Sequence, residues 1–346
     1  RAMGTLQSAV PFDPERFAMP NSDELANRHR RGEGLFKCES AVLGSHAKML
    51  AYRELLDGAP LPAAIALDLV RDYFPARITE VAGEEALAGH LLFREIATTM
   101  AVNRIVDSAG CSFFAEMTTV TGRSSRAVAV AYLRAQELGG IDALQRALWA
   151  IEDKQTQEGV YRAMERLGFA LEDAAFYLLG PIAEGDKVDP AKSRELLASI
   201  LDYLPANSRH RTRFVRHVER LTEAGIPNEL AAAIARTRFL LIVLDAIAIG
   251  RAQARPPEEV LRLRLAVSDA MRMSELQSAI SRMELTSSWD GPAVHSLGRQ
   301  LEFHAHKMTL LVRDGDIAAM IAAYGLGNVQ KLIGEYLVEG DVTVAS

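Results

Sequence analysis

The amino-acid sequence predicts an all-α protein, an irregular multi-helix bundle arranged as two helical lobes. Nearly half of the 346 residues are apolar, with Ala and Leu prominent, whereas aromatic residues make up only 6%. A sandwich or a barrel would need more β-branched and aromatic residues. Apolar residues also recur at spacings of three and four along most of the chain, which indicates helices with one buried face. The segment Asp341 to Val344 is the only β-like fragment.

The first lobe is expected over residues 22–180. Before it, residues 1–21 carry Pro11, Pro14 and Pro20 with little periodicity, which predicts a linker, and Arg1 to Gly4 is predicted to be a tag remnant. Apolar spacing and Gly or Pro breaks predict helices over Ser40–Leu56, Pro62–Tyr73, Ala86–Ser108, Phe113–Val120, Ser124 or Ser125 to Leu138, Ile141–Ile151 and Thr156–Leu179.

The second lobe is expected over residues 191–346, after a linker at 181–190 that contains Gly185 and four charged residues. Asp189 is predicted to cap a helix in which Pro190 is the first residue. Further breaks predict helices over Pro190–Leu204, Ser208–Glu223, Pro227–Ala254, Pro257–Met271, Ser274–Glu284, Pro292–Arg313, Ile317–Tyr324 and Val329–Val338.

Charge, cysteine usage and hydropathy limit the classes of protein. Acidic residues outnumber basic ones, 45 to 39, and the net charge of −6 argues against non-specific binding to nucleic acid or an anionic membrane. Cys38 and Cys111 have no paired spacing, which predicts a reducing cytoplasm and no Cys-based zinc site. The longest apolar run, Phe239 to Gly250, contains Asp245 and is too short to cross a bilayer, so we expect a buried core helix.

No motif for a cofactor or a metal ion emerges. The pairs Gly32/Gly34 and Gly325/Gly327 lack the third glycine of a dinucleotide fingerprint and follow no predicted strand. His304 and His306 point about 200° apart on a helix, although Glu302 shares one side with His306. These residues predict an exposed or interhelical polar pair rather than a metal site. From the residues alone, the chain is typical of a scaffold or a regulator.

The densest basic stretch predicts one helix face made of Arg209, Arg213, Arg216 and Arg220, at spacings of three and four. Guanidinium groups bind phosphates, nucleotides or the acidic surface of a partner subunit. The alternative is a solvated face whose charges pair with acids on the same and neighbouring helices.

The segment Met117 to Ala129 has the outline of a DNA-reading helix-turn-helix. It is predicted to contain a short helix, a turn at Gly122 and a second helix. The second helix is poor in base-contacting side chains after Arg126, and residues 127–131 are typical of a buried core. The net negative charge also argues against DNA binding.

Several segments resemble one family. They are a Tyr-Phe-Pro-x-Arg turn at Asp72 to Ile78, a helix with Ala-Thr and Val-Asn-Arg at Phe93 to Val106, a Gly-x-Ser-Phe step at Gly110 to Phe114, and an Ala-Tyr helix at Ala131 to Glu137. The chain thereby resembles the large NAD-specific glutamate dehydrogenases of bacteria, in the helical region after their catalytic domain. Arg28 to Met49 resembles the preceding segment of the family, with a departure over Phe36 to His46, and the second lobe matches more loosely.

The resemblance implies a parent enzyme that oxidatively deaminates L-glutamate to 2-oxoglutarate and ammonia, with hydride passing to NAD. The catalytic lysine and the Rossmann fold of that family lie upstream of the matching segments. The resemblance therefore implies no catalytic, cofactor-binding or metal-binding residue in this chain. Its partners would be the catalytic domain of the same polypeptide and further copies in a homo-oligomer, without nucleic acid or membrane.

Overall fold

A computed structural model of the chain describes residue 13 and residues 15–180, 188–205, 207–280 and 290–312, with no side-chain description for residues 22, 29, 274, 278 and 290–296. Every regular element in these ranges is helical, which confirms the all-α prediction. The α-helices are α1 (Ser22–Arg30), α2 (Lys37–Asp57), α3 (Ala63–Tyr73), α4 (Ala76–Ala88), α5 (Phe93–Ala109), α6 (Phe113–Thr121), α7 (Ser125–Gly139), α8 (Ile141–Trp149), α9 (Gln157–Leu179), α10 (Pro190–Ala198), α11 (Arg209–Glu223), α12 (Asn228–Arg236), α13 (Leu240–Gln253), α14 (Pro257–Ala270), α15 (Met273–Ile280) and α16 (Asp290–Leu311).

Contacts divide the chain into two compact units. The first contains Arg1–Glu137 and Met164–Gly185, and the second contains Leu138–Ala163 and Asp186–Ser346. In the first unit, α5 packs against α2 and α3. Val70, Leu87 and Ile96 belong to one of its buried apolar clusters, so hydrophobic burial holds α3, α4 and α5 together.

The second unit is built around α13, which packs along α14 and also contacts α10. Helix α13 is apolar on nearly all sides, and this agrees with the burial of most of its residues. The expectation of a buried core helix over the Phe239 to Gly250 run is thereby confirmed. Helix α14 in turn packs against α16, where Leu263, Val267 and Val312 form an apolar cluster.

Three predicted helices are each interrupted. The α-helix expected over Pro190–Leu204 ends at Ala198 and is followed by a 3-10 helix at Ile200–Tyr203. The helix expected over Ala86–Ser108 is divided at Gly89 to Leu92, because the chain turns there between α4 and α5. Leu91 and Leu92, two apolar residues of that predicted helix, are exposed. The helix expected over Pro227–Ala254 is divided by a 3-10 helix at Thr237–Phe239.

Three helix ends follow the signals in their sequence. The Asp189 side chain accepts a hydrogen bond from the Ala191 amide at 3.0 Å, which confirms the predicted cap and the position of Pro190. Gly110 and Gly122 end α5 and α6 with positive φ values of 88° and 65°. Glycine adopts this backbone without the steric cost that a Cβ would bring.

Some predictions lie outside the described residues. These are most of the N-terminal linker, residues 181–187 of the second linker, the helices expected at Ile317–Tyr324 and Val329–Val338, and the β-like Asp341 to Val344. The predicted lobe boundary at 181–190 stays a prediction.

Candidate functional site

The predicted arginine face belongs to α11, whose first turn is fixed by a cap. The Ser208 side chain accepts a hydrogen bond from the His210 amide at 3.1 Å, which satisfies one free donor of the helix N-terminus. His210, Phe214 and Leu221 are the buried residues of this helix. They anchor α11 in the second unit and leave its opposite side toward solvent.

The four predicted arginines have different environments. Arg209 pairs with Glu275 of α15 at 2.9 Å. Arg213 is half-buried, and its charge helps to lower the pKa of His210. Arg216 and Arg220 are exposed, and Arg220 Nε donates a hydrogen bond to the Arg216 carbonyl at 3.3 Å. The outward cationic surface is therefore centred on Arg216 and Arg220, and the binding of an anion or a partner there stays a prediction.

His210 and Ser268 form a buried polar contact, with 3.1 Å between His210 Nε2 and Ser268 Oγ. Asp269 Oδ1 lies 3.6 Å from the same imidazole nitrogen. A serine nucleophile triad needs the serine and the carboxylate on opposite nitrogens of the imidazole, so this arrangement lacks that geometry. Burial, reinforced by nearby arginines, lowers the pKa of His210 to about 3. A neutral imidazole held in the core is a structural group.

A buried ion network, defined here as Asp245, Arg264, Glu302 and His306, connects α13, α14 and α16. Asp245 accepts hydrogen bonds from Arg264 Nε at 2.8 Å and contacts His306 Nδ1 at 2.5 Å. Arg264 Nη2 donates to Glu302 at 2.6 Å. Gln277 Nε2 donates to the other oxygen of Glu302 at 2.5 Å, which brings α15 into the same network.

The opposite charges of the network stabilise one another, although Arg264 Nη1 is buried without a hydrogen-bond partner among the described residues. Burial alone would raise the pKa of Asp245, but the hydrogen bond from His306 and the charge of Arg264 outweigh burial and hold the pKa below its ordinary value. The carboxylates of Asp245 and Glu302 contact Arg264 and His306 through charge-assisted hydrogen bonds. These groups bind one another and do not line an open pocket. The network positions α16 on α13 and α14.

The paired histidines of α16 are separated by their surroundings. His306 contacts Asp245, whereas His304 is exposed. Glu302, the other candidate ligand, is bound to Arg264. No group of three His, Cys, Asp or Glu side chains that could hold a metal ion occurs among the described residues.

The segment predicted as a possible helix-turn-helix corresponds to α6, a left-handed Gly122 and α7. Val128, Ala129 and Ala131 on α7 are buried, in agreement with the core interpretation. Arg126 Nε donates to the Pro60 carbonyl at 2.8 Å. The face of α7 that these residues form is packed inside the first unit, and no DNA-reading role is assigned to it.

The buried ion network is not predicted by the sequence. One signal was present, because an aspartate inside an otherwise apolar run requires a buried partner. The identity of that partner was not readable, since Arg264 and His306 lie 19 and 61 residues away.

Within the described ranges, no helix is long and apolar enough to cross a membrane.

Comparison with known proteins identifies the family. Residues 32–332 match the family model described as glutamate dehydrogenase, C-terminal. Curated relatives include the NAD-specific glutamate dehydrogenases of Halomonas elongata (24% identical, 85% of this chain and 18% of that protein), Pseudomonas aeruginosa (24%, 90% and 19%) and Mycobacterium tuberculosis (24%, 82% and 17%).

The chain therefore spans less than a fifth of the length of these relatives. The match covers both units and most of the helices described above. The resemblance stated from the sequence is confirmed at the level of the family. The chain belongs to the glutamate dehydrogenase C-terminal family.

Proposed function

We propose that this chain is the non-catalytic helical C-terminal region of a large NAD-dependent glutamate dehydrogenase. In this proposal the parent enzyme converts L-glutamate, NAD and water to 2-oxoglutarate, ammonia and NADH. The observation that carries it is the family match over residues 32–332, together with the small share of the relatives that the chain covers. The proposal assigns NAD and the catalytic residues to the rest of the polypeptide.

In the parent enzyme, the chain supports the catalytic domain and takes part in oligomer assembly. The side chains best suited to acid–base chemistry, Asp245, His306 and His210, are buried and engaged in contacts between helices. Buried ionic contacts of this kind fix the positions of helices, and we assign them this structural role. The proposal includes a cytoplasmic location, which the parent reaction and the two free cysteines support.

The partner-facing part of the proposal rests on Arg216 and Arg220. Two exposed guanidinium groups on a rigid helix are suited to the carboxylates of an acidic surface. We propose that this surface belongs to the catalytic domain of the same polypeptide or to another copy in a homo-oligomer. Contacts of this type set orientation and the rate of association more than affinity.

The test is NAD-linked glutamate oxidation by the full-length parent and by this chain, measured side by side. The proposal expects NADH production by the parent and none above background by the chain alone. Turnover by the chain alone would overturn the non-catalytic assignment. An inactive parent that otherwise folds and assembles would overturn the assignment of the reaction.

A second candidate is a free-standing regulatory module that binds an anion through the same arginine face. The exposure of Arg216 and Arg220 favours it. This candidate expects a purified chain without a catalytic partner to bind inorganic phosphate or a nucleotide in a salt-sensitive way. The Arg216→Glu and Arg220→Glu double variant would then lose this binding at unchanged helicity.

A further inference from the structure

Helix α16 presents mainly small side chains to the second unit. Ala305 and Thr309 are buried one helical turn apart, and Val312 is buried directly after the helix ends. The Thr309 hydroxyl is used within its own helix, because Oγ1 donates to the Ala305 carbonyl at 2.8 Å. The larger apolar residues of α16 whose side chains are described are half-buried or exposed, namely Leu297, Leu301, Phe303, Met308, Leu310 and Leu311.

The apolar contacts of α16 therefore discriminate weakly between registers on α14. One register is ordinarily selected when large side chains of one helix fill grooves of the other. Met308 and Met271 accompany the small apolar cluster between these helices, and methionine adapts to gaps of different shape. A slide of α16 by one turn that brings Thr309 to the position of Ala305 would add there a methyl and a hydroxyl group.

The charged side chains of α16 discriminate strongly between the same registers. In the observed register His306 contacts Asp245, and Glu302 accepts a hydrogen bond from Arg264. A slide by one turn, about four residues, would bring Leu310 against Asp245 in one direction and Glu302 against it in the other. The first removes a contact of a buried carboxylate, and the second places two carboxylates together. Both arrangements are costly inside a protein.

The buried ion network is poorly suited to a purely stabilising role. Arg264 Nη1 is buried without a hydrogen-bond partner in the part of the chain that the structure describes. A buried donor without a partner opposes folding, because it has lost its contact with water. Buried ion pairs also often stabilise a fold no more than apolar residues of similar volume would. The choice between helix positions is a role that fits this network better.

We propose that Glu302 and His306 fix the register of α16 on α13 and α14, and that they exclude one-turn slides that its apolar face would accept. A single polar residue in an apolar interface fixes the register of coiled-coil helices in the same way. The inference goes beyond the proposed function, since it assigns to two side chains the choice between alternative positions of one helix.

The experiment measures the position of α16 in the full-length protein by double electron–electron resonance. Spin labels are attached through genetically encoded azide-bearing residues at positions 252 and 300, because Ala252 on α13 and Gln300 on α16 are exposed. Labelled subunits are diluted with unlabelled ones, so that distances within one subunit are measured. A second label pair, at Ala198 on α10 and at Ala252, reports on two helices whose mutual position does not depend on α16 in this proposal.

The test variant carries Glu302→Gln and His306→Leu, which leave the ion pair between α13 and α14 in place. The matched control carries His304→Leu and Lys307→Gln, at two exposed positions of the same helix. We expect one narrow distance between positions 252 and 300 in the unmodified protein and in the control. In the test variant we expect a broad or two-peaked distribution that extends over up to about 6 Å, the rise of four helical residues. The distance between positions 198 and 252 should not change.

A second variant moves both contacts one turn along α16, through Glu302→Leu, His306→Glu and Leu310→His. We expect a displaced distance between positions 252 and 300, because the helix slides until the moved carboxylate and imidazole meet Arg264 and Asp245. An unchanged, narrow distance in both variants would overturn the proposal, since apolar packing would then fix the register. Loss of helical circular dichroism from both variants would also overturn it, since the two side chains would then hold the fold itself.

Discussion

Asp245 and Arg264 form an ion pair inside the second unit, with 2.8 Å between Oδ2 and Nε, and their side chains are 3% and 1% exposed. Taking two charges out of water is costly, and their attraction offsets that cost only if the remaining hydrogen-bonding groups are also satisfied. Glu302 and His306 of α16 contact Arg264 Nη2 and Asp245 Oδ1, whereas Arg264 Nη1 is buried without a hydrogen-bond partner among the described residues. The pair therefore couples the position of α16 to the core helices α13 and α14.

Removing one partner of this pair should be strongly destabilising. The Arg264→Met variant leaves Asp245 buried without its cation, and a broken buried pair costs about 3–5 kcal/mol. Chemical denaturation monitored by circular dichroism measures the change in the free energy of unfolding. The control is Arg162→Met, which breaks an exposed pair with Glu158 and should cost less than about 1 kcal/mol. A similar, small effect of both variants would contradict the structural role of the network.

The sequence predicts those features of the fold whose signals are local along the chain, and it does not predict contacts between distant segments. The burial of α13 followed from a local apolar run, and the Asp189 cap followed from two adjacent residues. The partners of Asp245 depended instead on tertiary packing between distant segments. The turn at Gly89 to Leu92 was missed because the apolar spacing continued through it, and the contact of His90 Nδ1 with the Leu92 amide has no sequence signature.

The pKa of His210 predicts a dependence of stability on pH. Its folded-state pKa of about 3 lies below the ordinary value of 6.5, because burial disfavours the charged imidazole. The unfolded chain therefore binds a proton that the folded chain does not, and stability falls as the pH is lowered from 6.5 toward 3. We expect the His210→Gln variant to lose less stability than the unmodified chain between pH 7.5 and pH 5, measured by urea denaturation.

The matched control for that prediction is His304→Gln, which removes an exposed imidazole on α16. This variant should retain the pH dependence of the unmodified chain. An equal flattening of the profile in both variants, or none in His210→Gln, would count against a neutral buried His210.

Close packing around Gly159 makes that position intolerant of a side chain. A Cβ atom there would lie 2.5 Å from the Ala224 carbonyl oxygen, which belongs to the backbone and has little freedom to move. We expect Gly159→Ala to destabilise by about 1–3 kcal/mol, the usual cost of overpacking. Thermal unfolding followed by circular dichroism measures the change.

Gly298 provides the opposite case in α16, because a Cβ atom there meets no heavy atom within 4 Å among the described residues. Gly298→Ala should stabilise by about 0.5–1 kcal/mol, since alanine loses less backbone entropy in a helix. Equal destabilisation by the Gly159→Ala and Gly298→Ala variants would contradict the different packing that the structure gives these two positions.

The exposed surface of Arg216 and Arg220 predicts a charge-dependent contact with an acidic partner. The Arg216→Glu and Arg220→Glu double variant of the full-length protein should assemble more slowly and less completely at low salt, because two favourable charges become repulsive toward an acidic partner. Analytical ultracentrifugation measures assembly. The control is Arg162→Glu, an exposed arginine on α9. Unchanged assembly of the double variant would favour a solvated face instead.

If NAD chemistry in the parent enzyme takes place outside this chain, as proposed, the chain alone should not bind NADH. NADH fluorescence is titrated with the full-length protein and, separately, with this chain at matched concentrations. We predict saturable enhancement by the full-length protein and no saturable change by the chain. Saturable binding of NADH by the chain alone would contradict the claim and would place a nucleotide site among these helices.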